Sequence, residues 1–413
     1  MRATSFLAIA AFVAGACGGG ATSSPPASSA TSASAPASAS ASASASPSAS
    51  TAAASCEGAT PNAFFDRATC EKQLAQRSAT PTGPADQPWI QAIDPQMVDT
   101  SKYKKAGPYK ICFSNAGVNN PWRVVGYNTM QHEVKLQTDI TNFVHVDAGG
   151  DDNKQISDLA DMVKSGNCDA IIVAPNSTAA LTPAVEAACA SGTPIIVFDR
   201  GVTTSCPVTF IHPIGGYAFG ADAAEFLAAN VKPGAGVIAL RILPGVDVLE
   251  TRWLAAEAIF KQHNLTVLAS EQTGGDAAKT KSIVSDAIDK YGTIDGVWMD
   301  AGATSVAAAE AFVDKGLPVP PITGEDQNDF LQAWKTNNWT AVAPTYPTYQ
   351  WRTAVIAAVM ILKGQQVPKE WVLPQPKITK ANLDQYIYPG MPPLFYALCG
   401  CQSMPGFPED WQK

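Results

Sequence analysis

From Tyr109 onward, short apolar runs alternate with segments whose apolar residues recur at helical spacing. YKICFSN (109–115) reads as a strand, and Pro121–Gln137 as a helix with proline in its first turn, where a missing N–H costs nothing. FVHVDA (143–148) is a second strand. Asp152–Ser165 is an amphipathic helix carried by Ile156, Leu159, Ala160 and Val163, and Gly166 ends it. DAIIVAP (169–175) follows as a strand, and NST (176–178) can cap the helix ALTPAVEAACA (180–190). PIIVFDR (194–200) and VTFIHP (208–213) complete the first run.

The alternation then repeats. Helices are predicted over 215–231, Asp247–His263, Asp276–Tyr291, Thr304–Lys315, Asp329–Thr336 and Tyr349–Lys363. Strands are predicted at GVIALRI (236–242), LTVLASEQ (265–272), DGVWMD (295–300), PITGED (321–326) and TAVAPTYP (340–347). Strands this short between helices of this length imply parallel sheets built from βαβ units. The fold class is therefore α/β, with two doubly wound parallel-sheet lobes whose strand ends can face each other across a cleft.

The first turn of this pattern, within Ile111–Met130, is rich in chemistry. It carries the amides of Asn115, Asn119 and Asn120, the indole of Trp122 and the guanidinium of Arg123. In open α/β sheets ligands collect beyond the carboxyl ends of the strands, where turns meet helix N-termini. These groups suit hydrogen bonding to and stacking on a small polar ligand. No nucleophile with a partnered base stands among them.

Upstream the pattern changes. Arg2, the short apolar run Phe6–Val13 and the small residues Ala14, Gly15 and Ala16 form an export signal over residues 1–17. The run is too short to span a bilayer permanently. Its ending at Cys17 resembles a bacterial lipobox, which implies acylation of that thiol, although Ala14 stands where an aliphatic residue is usual. Residues 18–55 are almost entirely Ala, Ser, Thr, Pro and Gly. They cannot bury enough surface to offset the entropy of ordering and read as a disordered tether. Residues 56–106 form a polar lead-in, with one short helix in FFDRATCEKQLAQR (64–77) and a proline-rich extended piece after it.

Composition narrows the partners. The chain has 413 residues and a net charge of −8, with 46 % hydrophobic and 15 % charged residues. That is enough for two domains with substantial cores. The acidic balance and the lack of clustered Lys and Arg exclude nucleic acid. Eight cysteines follow Cys17, an even number that permits disulfides in an exported protein. Cys56 with Cys70 makes a local staple, Cys168 and Cys206 could pair, and Cys112 reads as a free buried thiol. No CxxC occurs and His132, His145, His212 and His263 are scattered, so no metal and no cofactor is expected.

Five motifs in order give a resemblance. NNPW (119–122), IIVAPNST (171–178), PIIVFDRG (194–201), LETRW (249–253) and ITGEDQ (322–327) resemble those of the periplasmic sugar-binding proteins of ribose-binding type, the receptors of ABC importers. The similarity runs from about Tyr109 to Lys377. It implies the type I binding-protein architecture: a first lobe of 107–213 plus 346–372, a second of 214–345 plus 373–413 including the tail, and hinge crossings near 212–214, 345–347 and 373. It implies ligand-facing roles for Asn120, Trp122, Arg123, Asp199, Arg200, Arg252, Asp300 and Asp326. Carboxylates would accept from hydroxyl pairs, guanidiniums would donate in forks, and Trp122 would offer a flat face to ring C–H groups. Glu325 is expected to stand behind Asp326.

Departures from the pattern point away from ribose itself. Ala174, the stretch Asp300–Gly302 and Thr345 stand where ribose binders carry other polar contacts, and the first turn is longer by Ala116 and Gly117. The resemblance therefore implies a monomeric, lipid-anchored receptor on the outer face of the membrane. It would capture a sugar or polyol and deliver it to a permease, without turnover. A sensory receptor of the same fold and, less favoured, a secreted carbohydrate-active enzyme are the alternatives. Neither HExxH, GxSxG nor a phosphate loop supports an enzyme.

Overall fold

In the computed structural model, which describes residues 56–412, the apolar runs form two six-stranded sheets. Helix α1 (Arg67–Gln76) and strand β1 (Met97–Val98) lead in. The first run is β2 (Tyr109–Asn115), α2 (Pro121–Leu136), β3 (Ile140–Asp147), α3 (Asp152–Ser165), β4 (Ala170–Ala174), α4 (Thr178–Ala190), β5 (Ile195–Phe198) and β6 (Thr209–Pro213). The second is α5 (Gly216–Asn230), β7 (Gly236–Arg241), α6 (Asp247–Gln262), β8 (Thr266–Gln272), α7 (Ala277–Tyr291), β9 (Gly296–Met299), α8 (Ser305–Asp314), β10 (Ile322–Thr323), α9 (Asn328–Asn337) and β11 (Ala341–Pro344). Helix α10 (Gln350–Leu362) and strands β12 (Val367–Pro368), β13 (Glu370–Leu373) and β14 (Lys377–Ile378) close the set.

The first sheet runs β13-β6-β5-β4-β2-β3, parallel throughout. The second runs β14-β11-β10-β9-β7-β8, with only β14 antiparallel. In each, the strand order reverses at the lobe's first strand, β2 or β7. Both faces are covered, so the inner strands are unbroken apolar runs. Along β2, Ile111 and Phe113 pack with Trp351 and Val355 on one face. Cys112, between them, packs with Leu159 and Met162 on the other. Two corresponding cores flank the second sheet.

The chain passes between the sheets three times: after β6, between β11 and α10, and between β13 and β14. The crossings are tied together. Gln375 Oε1 accepts from the Gly215 N–H at 2.7 Å, and the Tyr349 hydroxyl donates to the Pro374 carbonyl.

Both ends of the described chain brace this arrangement. In the lead-in, Arg77 pairs with Glu225 on α5 at 2.8 Å, while Trp371 of β13 donates to the Gln91 carbonyl at 2.8 Å. The tail runs along the turn before α9, where Asn328 N donates to Phe395 O at 2.9 Å. It ends on α2, where the Trp411 indole donates to Thr129 Oγ1 at 3.2 Å.

Some expectations need correction. Cys112 is not free: it pairs with Cys168, in the loop leading into the neighbouring strand β4, and Cys206 pairs with Cys189 at the end of α4. Cys56–Cys70 and Cys399–Cys401 are the other two disulfides. Ser177 occupies the N-cap position of α4, but its hydroxyl donates to Asp152 Oδ2 at 2.8 Å instead of capping. Cys17 and the tether lie outside the described residues. Among those described, no helix is long and apolar enough to cross a membrane.

Helices α5 and α6 meet at bare backbone. A Cβ on Gly220 would sit 1.9 Å from the Arg252 carbonyl, and one on Gly216 2.1 Å from Thr251 Oγ1. This contact fixes where α6 presents Arg252. Gly220→Ala must push the helices apart, and is expected to lower unfolding free energy by about 1–3 kcal/mol, read from the urea midpoint.

Candidate ligand-binding site

The carboxyl ends of the two sheets enclose a cavity of about 440 Å³, within the usual size range for small-molecule sites. Lobe one contributes Asn119–Arg123 from the turn into α2, and Asp199 and Arg200 from beyond β5. Lobe two contributes the loop before α6, Arg252 within it, Gly274 and Gly275, Ala301 and Glu325. Tyr346 comes from a crossing and Tyr396 from the tail.

Local sequence explains each placement. Asn120 caps α2, its side chain accepting from Arg123 N at 3.0 Å. One turn of helix then aims Trp122 and Arg123 along the cleft. Arg123 is buried, donating to Asp199 Oδ2 at 2.6 Å and to Asn115 Oδ1 at 3.3 Å. Burial lowers its guanidinium to about 10, opposed by the Asp199 charge. Asn115 is oriented in turn by His145, whose Nε2 lies 3.3 Å from Asn115 Nδ2. Burial holds that imidazole below its ordinary value, so it is neutral and can accept. Asp199 has a φ of 69°, a left-handed conformation in which Asp is far commoner than branched residues. The turn directs its carboxylate at Arg123 and leaves its carbonyl to accept from the Tyr346 hydroxyl at 3.2 Å. Arg200 donates to the Asn176 carbonyl at the rim.

On the second lobe, Arg252 is buried over the ring of Phe219 at 3.8 Å and beside Tyr346 at 5.1 Å. It donates to the Asp300 carbonyl and lies 3.6 Å from Glu325 Oε1. Glu325 also accepts from Gly302 N at 3.1 Å and from the Tyr396 hydroxyl at 3.4 Å, and burial raises its carboxyl.

Of the residues expected from sequence, Asn120, Trp122, Arg123, Asp199, Arg200 and Arg252 line the cavity. Asp300 and Asp326 do not. Both oxygens of Asp300 accept from Ile242 N, at 3.0 and 3.1 Å, at the end of β7. Asp326 is turned back onto the tail, accepting from Leu398 N at 2.7 Å. Glu325, expected behind it, takes the place at the cavity. Tyr396 was missed because the tail carries no periodic pattern. The aliphatic loop residues were missed because they read simply as apolar.

The arrangement offers donors, acceptors and one indole face from two lobes. Among the described residues lining the cavity there is no Ser, Thr, Cys, His or Lys. Among the described residues no group of three or more His, Cys, Asp and Glu could hold a metal ion.

Known proteins resemble this chain in sequence and in fold. The family model of the periplasmic binding protein domain matches residues 111–366. A ribose import binding protein of Bacillus subtilis is 26 % identical over 275 residues, covering 67 % of this chain and 88 % of that protein. A xylitol-binding protein of Mycolicibacterium smegmatis is 25 % identical over 240 residues, 57 % of this chain and 68 % of that one. In fold, the chain is similar to an ABC transporter solute-binding protein of Bacillus halodurans solved with bound myo-inositol. That likeness has a TM-score of 0.63 and 21 % identity, covering 68 % of this chain and 98 % of that one.

Burial also pushes Asp300 and Asp326 up to about 7, and Asp329 to about 6, from an ordinary 3.8. The folded state therefore holds these protons more tightly than the unfolded chain. Their contribution to stability is lost as pH rises from about 4 to about 7. The melting temperature is expected to be higher near about pH 5.5 than near about pH 8. Asp326→Asn should flatten that slope and stabilise the protein at the higher pH by on the order of 2 kcal/mol, measured by calorimetry.

Proposed function

The chain belongs to the periplasmic binding protein family, and from that premise we propose that it captures a sugar or sugar-like polyol between its lobes and delivers it to an ABC importer. The observation that carries this is the distribution of charged groups around one cavity. Arg123, Asp199 and Arg200 come from one lobe, Arg252 and Glu325 from the other, and Tyr346 from the connection between them. A ring of hydroxyls can accept from the guanidiniums and donate to the carboxylates together only when the lobes are close. Ligand thus favours the closed state by its extra contacts there.

The division at 107–213 plus 346–372 against 214–345 plus 373–413 belongs to this reading. So do monomeric action, an outward-facing location and anchoring through a lipid on Cys17. The permease would read the closed shape. The site works by binding alone. In this reading both carboxylates at the cavity are holding groups: Asp199 is ion-paired with Arg123, and Glu325 is held by Arg252, Gly302 N and the Tyr396 hydroxyl.

A thermal-shift screen of pentoses, hexoses, inositols and linear polyols tests the proposal. At least one compound should raise the melting temperature, by about 2.7 kcal/mol of stabilisation at a hundredfold excess over its Kd. Arg200→Ala is expected to weaken that ligand about tenfold, the worth of one charged hydrogen bond. It should lower the unliganded melting temperature only slightly, since Arg200 is half-buried at the rim and loses there a hydrogen bond to the Asn176 carbonyl. No shift with any class, or consumption of a sugar at enzymatic rates, would refute the proposal.

A further inference from the structure

The second lobe presents methyl groups where a purely hydroxylated guest would need partners. The loop between β7 and α6 and the first turn of α6 line the cavity with Ile242, Leu243, Val246, Val248 and Leu249. Leu243 is 44 % exposed, an apolar side chain held at the cavity instead of in a core.

The acids of this region are all turned elsewhere. Asp300 holds the Ile242 N–H with both oxygens. Asp247 accepts from Val248 N at 2.7 Å with one oxygen and, across the cleft, from Thr178 Oγ1 at 3.1 Å with the other. Glu250 accepts from Gly245 N at 2.8 Å and from Arg241 at 2.7 Å. These bonds fix the loop with its aliphatic side chains facing the cavity. The polar groups that the second lobe and tail offer the guest are concentrated at Arg252, Glu325 and Tyr396.

A hydroxyl pressed against that wall loses its water and gains no partner, which is costly. A methyl in the same place is favourable. One flat C–H face of a plain ring is served by Trp122 on the opposite lobe and the other can rest on part of this wall, which leaves aliphatic surface, the exposed Leu243 included, that a plain ring does not use. From this we infer that the physiological ligand is a sugar or cyclic polyol carrying an apolar flank, such as an O-methyl, a terminal deoxy or a short alkyl-glycoside group. The inference rests on the reading of this cavity as the sugar site.

Titration calorimetry on the mature chain tests it with matched pairs. Suitable pairs are D-glucose and methyl D-glucoside, D-ribose and methyl D-riboside, D-galactose and 6-deoxy-D-galactose, and myo-inositol and a mono-O-methyl inositol. In at least one pair the apolar-flanked member should bind about fourfold tighter or more, the transfer free energy of one buried methyl or methylene. Leu243→Ser should bring that ratio toward one. Parents binding as tightly as their partners in every pair that binds, or a ratio unmoved by Leu243→Ser, would overturn the inference while leaving the sugar site standing. Binding by no member of any pair would overturn the sugar reading itself, and the inference with it.

Discussion

Tyr346 joins the two halves of the site, touching charged residues of both lobes. It sits on a crossing between the lobes. Its hydroxyl donates to the Asp199 carbonyl of the first lobe, its ring lies 5.1 Å from the Arg252 guanidinium of the second, and its carbonyl accepts from Trp122 at 2.7 Å. A residue so placed cannot keep all three contacts while the lobes rotate freely. In the proposed reading, occupancy of the cavity, the arginine rotamers and the angle between the lobes are thereby one coupled system.

The coupling matters because the groups involved are desolvated. Arg123 and Asp199 are both buried and depend on each other, and removing one partner of such a pair typically costs about 3–5 kcal/mol. Arg252 and Glu325 are equally buried but meet at 3.6 Å, a looser contact that leaves hydrogen-bonding capacity for a guest. One lobe thus carries a tightly preorganised pair and the other a pair that a ligand can complete. Preorganisation on one side limits the ordering cost of binding. Looseness on the other is what the proposed guest-dependent closure requires.

The parallel sheets were legible in the sequence because strands covered on both faces leave unbroken apolar runs, and the helices between them keep a 3.6-residue period. Much of the site was legible too: a strand end followed by Asn, Pro, Trp and Arg at a helix start fixes where those side chains begin. What could not be read was the direction in which a carboxylate turns. In GED, neighbouring acids point to opposite sides, and the tail decides between them. The Leu398 N–H claims Asp326 and leaves Glu325 to the cavity. Asp300 is claimed in the same way by Ile242 N. The tail's part was hidden because its buried apolar residues, among them Phe395, Tyr396, Met404 and Trp411, follow no regular period that would announce a packed face. The local pair Cys56–Cys70 was legible, but the partners of Cys112, Cys168, Cys189 and Cys206 were hidden for a related reason. Spacing along the chain says nothing of which strands become neighbours, and β2 lies beside β4.

The central claim is that ligand capture and lobe closure are the same event. Small-angle scattering of the protein, titrated with a ligand whose binding calorimetry has established, measures this directly. The account predicts a radius of gyration that falls with the fraction bound and stops falling at saturation. A scattering profile that stays unchanged while calorimetry registers full occupancy would contradict it.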